Sequence, residues 1–174
     1  MPKSSQKQID ADEKKIIEEL QGNAKSSIDS IAKKCGFSRQ KVWRVIKRLE
    51  KNKTIWGYCA VVDNEKINKK RYIMLIKRSN NPLGDSINKI IDLTLHTMGK
   101  KIGVEIICSS YLHGLYDWMF VFTAPDIKGA KKFTEILTRE YHPIINEIHL
   151  LEDIFPVKTC NIANPDVKKL KDLF

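Results

Sequence analysis

Apolar residues in the first 54 positions recur at helical spacing, which predicts three short helices separated by polar breaks. Asp10 and Glu13 form a D-x-x-E capping pair at the predicted start of the first helix, and Gly22 ends that helix. Ser26 or Ser27 is expected to cap the second helix, because a serine side chain can accept a hydrogen bond from a free amide of the first turn.

The second and third helices contain the residue types that a helix-turn-helix requires. Ala32 is a small residue where the two helices would cross, and Gly36 tolerates the positive φ of the turn. Ser38 can cap the third helix, which begins with Arg39. Four apolar residues then follow the i, i+3, i+4, i+7 spacing of one buried face: Val42, Val45, Ile46 and Leu49.

With that face buried, the third helix presents a polar and cationic side to solvent. From Arg39 to Lys53 there are seven basic residues and one acid, Glu50. Such a segment attracts DNA or RNA, although a solvated helix face has the same composition. Residues near the start of the helix would reach base edges in a major groove, and later cations would meet phosphates. The predicted DNA-binding residues are Ser38, Arg39, Gln40, Trp43, Arg44 and Lys47.

Trp43 has two interpretations at this point: it touches a thymine methyl group, or it packs partly against the first helix.

After residue 54 the pattern becomes typical of strands. Residues 55–62 form a β-rich run that is too short for a sheet of its own, so we expect it to pair with a strand from elsewhere in the chain or from a second chain. From residue 69 the order is strand, helix, strand, strand, helix, strand. The first of these helices is predicted as a single stripe ending at Gly99. The predicted strands are 72–77, 102–108, 118–122 and 144–155.

This βαββαβ order predicts a ferredoxin-like sheet with both helices on one face. The other face is expected to carry aromatic residues that lack a cover within one chain, and Tyr58, Trp118 and Phe120 therefore predict a dimer. We predict an α+β chain: a helix-turn-helix (winged-helix-like) domain, a linker strand, a ferredoxin-like effector and oligomerisation domain, and a C-terminal tail. Their predicted limits are residues 1–54, 55–68, 69–158 and 159–174.

Composition narrows the class of protein. The chain has 174 residues, 42% of them hydrophobic, and a net charge of +10, as expected of a folded protein that binds a polyanion. No run of about 18 apolar residues exists, and residues 1–6 are polar, so we expect no membrane span, no secretory signal and a cytoplasmic location. The four cysteines and four histidines are scattered without metal-ligand spacing, so no metal and no cofactor are expected.

Four segments, in order along the chain, carry a family resemblance. They are residues 9–20 (I-D-A-D-E-K-K-I-I-E-E-L), residues 36–50, residues 55–63, and the turn Gly114-Leu115-Tyr116-Asp117. Together they resemble the opening helix, recognition helix, linker strand and effector-domain turn of the Lrp/AsnC (feast/famine) family. The resemblance implies a sequence-specific transcription regulator that binds double-stranded DNA as a homodimer, tetramer or octamer. It also implies an amino-acid effector, which many members bind between dimers of the C-terminal domain.

The resemblance implies an effector site around the turn and the last strand: His113, Gly114, Asp117, Glu147 and His149. Glu147 and His149 stand where the family commonly has a Thr-x-Thr pair. This departure leaves open an altered ligand specificity, no ligand at all, or side chains that face solvent or a partner chain. Asp117 could instead hold amides of the turn itself.

Two further departures from the family lie elsewhere in the chain. Lys53 replaces a frequent glycine, so Asn52 or Lys53 is expected to adopt positive φ. Beyond the usual end of the family, Asn164 to Asp166 predict a cap followed by a short helix.

Two other functions compete with a regulator. An architectural protein that compacts DNA with little sequence preference would also be strongly cationic. A tetrapyrrole decarboxylase-like enzyme would share the two-domain arrangement, but no Ser/His/Asp, Cys/His or metal grouping supports catalysis, so we expect no enzyme.

Overall fold

The computed structural model describes residues 6–174, and residues 1–5, part of the segment used above to argue against a secretory signal, lie outside the described residues. The chain forms two compact units. The first runs to Val61 and also includes Val157–Phe174, and the second is Val62–Pro156. Among the described residues, no helix combines the length and apolar character needed to cross a bilayer.

Three helices make up most of the first unit: α1 (Gln6–Gly22), α2 (Ile28–Cys35) and α3 (Arg39–Lys51). Ser27 and Ser38 cap α2 and α3, each side-chain oxygen accepting a hydrogen bond from an amide three residues later. Gly36 ends α2 with φ 70°, as predicted for the turn. The predicted start of α1 was wrong, because the helix begins at Gln6 and places Asp10 and Glu13 inside it.

The core of the first unit forms where the three helices meet. Its buried members are Ile16, Ile31, Ala32, Val42, Val45 and Leu49. Burying a side chain such as Leu49 fully contributes about 1.5–3 kcal/mol, and Ile46 and Phe37 pack partly against the same cluster. This core holds α3 with its opposite face outward.

The segment after α3 differs from the sequence prediction. Residues 56–63 lie in no helix or strand within the single chain, where a linker strand was predicted. A 3-10 helix, Glu65–Ile67, follows. The C-terminal tail contains the two-residue strands β5 (Lys158–Thr159) and β6 (Ile162–Ala163) and a 3-10 helix, Val167–Leu173; β5 and β6 are numbered after the four strands of the second unit. The predicted short helix after Asp166 is therefore present, as a 3-10 helix.

The second unit has the predicted βαββαβ order around one antiparallel sheet. The elements are β1 (Lys70–Arg78), α4 (Ser86–Ile91), α5 (Thr94–Lys100), β2 (Glu105–Tyr111), β3 (Trp118–Ala124), α6 (Ile127–Tyr141), a 3-10 helix (His142–Ile144) and β4 (Ile145–Asp153). The strand order is β2-β3-β1-β4, and all pairs are antiparallel. The α+β class and the ferredoxin-like arrangement are confirmed.

The first helical segment of this unit is broken, contrary to the single helix predicted. Leu93 adopts φ 52° between α4 and α5. Gly99 lies inside α5 rather than after it, and a Cβ there would come within 3.3 Å of the Phe133 ring. Because Gly99 has no side chain, α5 can approach α6 closely.

The assignment of aromatic residues to the uncovered sheet face was wrong for Trp118 and Phe120. Both are buried, and the Phe120 ring lies edge-on to Phe133 of α6 at 6.3 Å. Trp118 packs in the same way against Tyr141, at 5.6 Å. The opposite face carries aliphatic residues instead, including Ile73 and its register partner on β4, Leu151. Of the three residues that predicted a dimer, only Tyr58 is exposed.

Candidate DNA-binding surface and effector turn

The outer face of α3 is the candidate DNA-binding surface. Ser38 positions the start of the helix because its Oγ accepts a hydrogen bond from the Lys41 amide at 3.3 Å. The face is polar except at Trp43, and its members are Ser38, Arg39, Gln40, Trp43, Arg44 and Lys47, all exposed. Trp43 leaves half of its surface open to solvent, so its indole is available to a partner.

Carboxylates within the first unit hold four of the basic side chains of α3. The pairs are Arg39 with Asp29 at 3.2 Å, Lys41 with Asp12 at 2.6 Å, Lys47 with Glu50 at 2.9 Å, and Arg48 with Glu13 at 2.6 Å. Two of these carboxylates come from α1 and one from α2, so the pairs also orient α3 on its neighbours. Among the described residues, Arg44 has no carboxylate at ion-pair distance, which leaves its full charge available to a polyanion.

Asp12, which the sequence reasoning missed, is a buried acid of the first unit. Its Oδ1 accepts a hydrogen bond from Gln8 Nε2 at 2.9 Å, and its Oδ2 accepts one from Lys41 Nζ. The hydrogen bond from Lys41 is the main cause that holds the pKa of Asp12 below its usual value, against the opposing effect of burial. Lys41 Nζ also lies 4.0 Å from the Phe37 ring centroid. This cluster joins α1, the turn and α3.

An open cleft runs beside this cluster, between α1 and α3. Its lining residues are Ile9, Asp12, Lys41, Arg44, Val45 and Arg48. Lys41 and Arg48 in this lining are paired with Asp12 and Glu13, whereas Arg44, unpaired within the described residues, adds a charge that continues the exposed face of α3.

Tyr58, which follows α3 by seven residues, contacts the far end of the helix. Its hydroxyl donates a hydrogen bond to Glu50 Oε1 at 3.1 Å, and the other oxygen of Glu50 accepts one from Lys47. These two hydrogen bonds lower the pKa of the Glu50 carboxyl, and the bond from Lys47 has the larger effect. Burial, followed by the Glu50 carboxylate, raises the pKa of the Tyr58 hydroxyl.

The net charge of the chain is concentrated in the unit that carries α3. Residues 1–61 and 157–174 contain 18 Lys and Arg and 9 Asp and Glu, a net +9. Residues 62–156 contain 13 and 12, a net +1. A polyanion is therefore attracted to the first unit far more than to the second.

The turn between β2 and β3 contains three of the residues implied for effector binding. Gly114 adopts φ 152°, and His113 is exposed. Asp117 connects the turn to β1: its Oδ2 accepts a hydrogen bond from the Arg78 amide at 2.8 Å, and its own amide donates one to Ile76 O. An open cleft here is lined by Lys77, Arg78, Ser79, Asn80, Gly114, Leu115 and Asp117.

The other two residues, Glu147 and His149, lie on β4. They are exposed and bonded to each other, with His149 Nε2 2.9 Å from Glu147 Oε1. The Tyr116 ring of the turn meets the His149 ring edge-on at 5.5 Å. The structure thus links β4 to the turn through Tyr116, a residue that was not selected from the sequence.

Comparison with known proteins agrees with this geometry. Residues 10–55 match the winged helix-turn-helix DNA-binding family. Over 65 residues, 37% of its length, the chain is 42% identical to the leucine-responsive regulatory protein of Haemophilus influenzae. That alignment spans 39% of the relative, so the chain matches about two fifths of that protein's length.

Solved structures share the fold over most of the chain. An AsnC family transcriptional regulator from Agrobacterium tumefaciens has a TM-score of 0.65 at 20% identity, over 85% of this chain and 92% of that one. A transcriptional regulator from Neisseria meningitidis, solved as its L-Met complex, has a TM-score of 0.64 at 16% identity, over 94% and 97%. Residues 10–55 therefore match a winged helix-turn-helix DNA-binding domain, and the chain has the α+β fold of solved Lrp/AsnC regulators, as its sequence resemblance predicted.

Proposed function

We propose that this chain is a transcription regulator of the Lrp/AsnC type that binds double-stranded DNA through α3. The observation that carries the proposal is the exposed polar face of α3, backed by a buried apolar face and held by ion pairs to α1 and α2. The concentration of positive charge in the same unit supports it. A cytoplasmic location and the lack of catalytic activity accord with this role and are part of the proposal.

The residues of this face have the following proposed roles in contacting DNA. Arg39 and Gln40, in the first turn, are placed to read base edges, since their side chains form bidentate contacts with guanine and adenine. Arg44 lies one turn further along and meets a phosphate or a base. Lys47, two turns along, is paired with Glu50 and meets a phosphate only when that pair opens. The Ser38 end of α3 offers backbone amides to a phosphate, and Trp43 offers an apolar surface to a thymine methyl group.

The test starts with selection of genomic fragments by the purified full-length chain, which yields the site and the spacing of its half-sites. Arg44→Ala should then weaken binding to that site by about 1–3 kcal/mol if Arg44 reads a base. If it contacts only phosphate, binding to all sequences should weaken alike and the salt slope should fall by about one. Lys132→Ala, an exposed cation on α6, is the matched control and should change neither quantity.

Two outcomes would count against this function. Unchanged binding in the Arg39→Ala/Arg44→Ala variant would reject α3 as the recognition helix. Equal affinity for selected and unrelated DNA in competition at ~0.15 M salt would favour an architectural protein, because specific binding typically exceeds nonspecific binding by about 10³-fold or more.

We propose that the regulator acts as a homodimer or as a larger homo-oligomer. The sheet of the second unit supports this, because its face away from the helices carries aliphatic residues that remain partly exposed. Two-fold symmetry would place two copies of α3 in successive major grooves and favour a near-palindromic site.

We further propose that an amino acid modulates the regulator at the cleft near His113, Gly114 and Asp117, with Glu147 and His149 contributing. The cleft offers the cations Lys77 and Arg78 to a carboxylate. The Neisseria meningitidis relative, solved with L-Met, supports an amino acid as the ligand class. Calorimetric titration with the twenty amino acids, on the unchanged chain and on Asp117→Ala, tests this. No heat with any of them, with or without DNA, would remove the effector from the proposal.

A further inference from the structure

The carboxylate of Glu50 connects the segment after α3 to a basic residue of the DNA-binding face. One oxygen accepts a hydrogen bond from Tyr58 Oη at 3.1 Å, and the other accepts one from Lys47 Nζ at 2.9 Å. The two donors thus occupy opposite oxygens of one side chain, so the orientation of Glu50 toward Lys47 is tied to the position of Tyr58.

We propose that Tyr58 is a positioning residue through which the linker sets the charge that α3 presents to DNA. This inference rests on the function proposed above. While the Tyr58 hydroxyl holds Glu50, the carboxylate neutralises Lys47 and keeps its ammonium group from a phosphate. When the linker carries Tyr58 away, Glu50 is released, and Lys47 gains a phosphate contact.

The exposure of Lys47 and Glu50 and the position of Tyr58 make both contacts of Glu50 reversible. The Lys47 side chain is 58% exposed and that of Glu50 is 33% exposed, so water can take the place of either partner. Tyr58 lies within residues 56–63, which have no helix or strand of their own, and Trp56, two residues earlier, is 95% exposed. Pairing of this segment with another strand would re-orient the side chain of Tyr58, because successive residues of a strand point to opposite faces.

The charge of Lys47 is matched by a single carboxylate in the part of the chain that the structure describes. Among the described residues, Glu50 is its one ion-pair partner, whereas Arg44, one turn earlier, has none. Both donors to Glu50 favour its charged form and lower its pKa, so the carboxylate is ionised near neutral pH.

The proposed coupling of Tyr58, Glu50 and Lys47 is called the relay. The salt dependence of DNA binding by the full-length chain tests it. Lys47→Gln in the otherwise unchanged chain should alter the slope of log K against log salt by much less than one. Glu50→Gln should steepen that slope by about 0.9, the value for one added phosphate contact, and should tighten binding by up to about fivefold near 0.15 M salt. Adding Lys47→Gln to Glu50→Gln should restore the original slope.

Tyr58→Phe isolates the hydroxyl, because it removes one oxygen and keeps the ring. It should shift slope and affinity in the same direction as Glu50→Gln, by a smaller amount, and should have no effect in the Glu50→Gln background. Equal effects of Tyr58→Phe in both backgrounds would overturn the inference. The inference would also be overturned if Lys47→Gln alone reduced the slope of log K against log salt by a full unit.

A measurement without DNA separates this inference from the proposed function. In ring-labelled protein followed by NMR, Glu50→Gln should lower the pKa of the Tyr58 hydroxyl toward its ordinary value, since the nearby carboxylate contributes to raising it. An unchanged Tyr58 pKa would contradict the relay even if DNA binding is intact. Failure of every variant and of the unchanged chain to bind DNA would instead reject the proposed function.

Discussion

At the scale of single residues, the DNA-binding unit depends on acids that counterbalance the basic side chains of α3. Asp12 differs from the other carboxylates because it is buried, with 6% of its side chain exposed, while its partner Lys41 reaches the surface. A buried carboxylate that lost its cation would be left without compensation for desolvation. The Asp12–Lys41 pair therefore stabilises the packing of α1 on α3 rather than contacting DNA itself.

Asp12→Asn should lower the free energy of unfolding of the first unit by about 1–3 kcal/mol at pH 7, because it removes a charge-assisted hydrogen bond. The pKa of Asp12 is lower in the folded chain than in the unfolded one. Its contribution is therefore complete above about pH 4, the ordinary aspartate value, and is lost as the pH falls through the lower, folded pKa. Urea unfolding between pH 2 and 7, followed by the NMR signals of the Val42 and Val45 methyl groups, measures both effects.

The control for this prediction is Glu18→Gln, an exposed carboxylate on the same helix. It should change the free energy of unfolding by less than about 0.5 kcal/mol. If Asp12→Asn loses stability on acidification as steeply as the unchanged chain does, the Asp12 carboxylate does not stabilise the unit.

At the scale of elements, backbone conformation decides where helices end. Lys53 adopts φ 61° just after α3, and Asn52 does not, with φ −85°. The sequence predicts positive φ at one of these two residues and does not distinguish between them. A lysine in this region has its Cβ close to a backbone oxygen, which costs about 1–2 kcal/mol.

Lys53→Gly should raise the free energy of unfolding of the first unit by up to about 1 kcal/mol. Relief of the strain exceeds the extra entropy that glycine gives the unfolded chain, about 0.5–1 kcal/mol. Asn52→Gly is the matched control and should lower the free energy of unfolding, since it adds the same entropy and removes the hydrogen bond from the Thr54 amide to Asn52 Oδ1. Urea midpoints of the two variants should therefore move in opposite directions, and a parallel shift would contradict the assignment of strain to Lys53.

The elements also show which inferences the sequence supports. The outward face of α3 follows from the 3.6-residue period of Val42, Val45 and Leu49, so that face could be predicted. The order of strands and helices followed from the change between this helical period and alternating or continuous apolar runs. The break at Leu93 could not be predicted, because the apolar stripe of α4 and α5 continues across it.

At the scale of the whole molecule, the remaining features depend on contacts between distant parts of the chain. Lys41 and Asp12 are 29 residues apart in the sequence, so their ion pair could not be predicted from local sequence patterns. Strand β3 is buried along almost its whole length, so no alternation showed that Trp118 and Phe120 face the helices. The grouping of the C-terminal tail with the first unit is likewise a property of tertiary packing. The predicted division into four parts stays a prediction.

The proposed dimer belongs to this scale. Leu151 on β4 is opposite Ile73 of β1, on the sheet face away from α6, and is 46% exposed. Leu75 lies on the same face, two residues beyond Ile73, and is partly exposed. If two copies pack through this face, a charged residue at position 151 would be buried without a partner. Each chain would contribute one such charge, because the interface is two-fold symmetric.

Leu151→Lys should raise the dissociation constant of the dimer at least about tenfold, which corresponds to roughly 1.4 kcal/mol, as measured by sedimentation equilibrium. Ile91→Lys is the matched control: it is 69% exposed on α4, among the helices that pack on the opposite face of the sheet, and should leave association unchanged. The Leu151→Lys variant should also lose its preference for two correctly spaced half-sites over one, because a monomer offers a single copy of α3. A folded monomer of the unchanged chain at micromolar concentration would contradict the dimer, and equal effects of the two substitutions would move the interface away from this face.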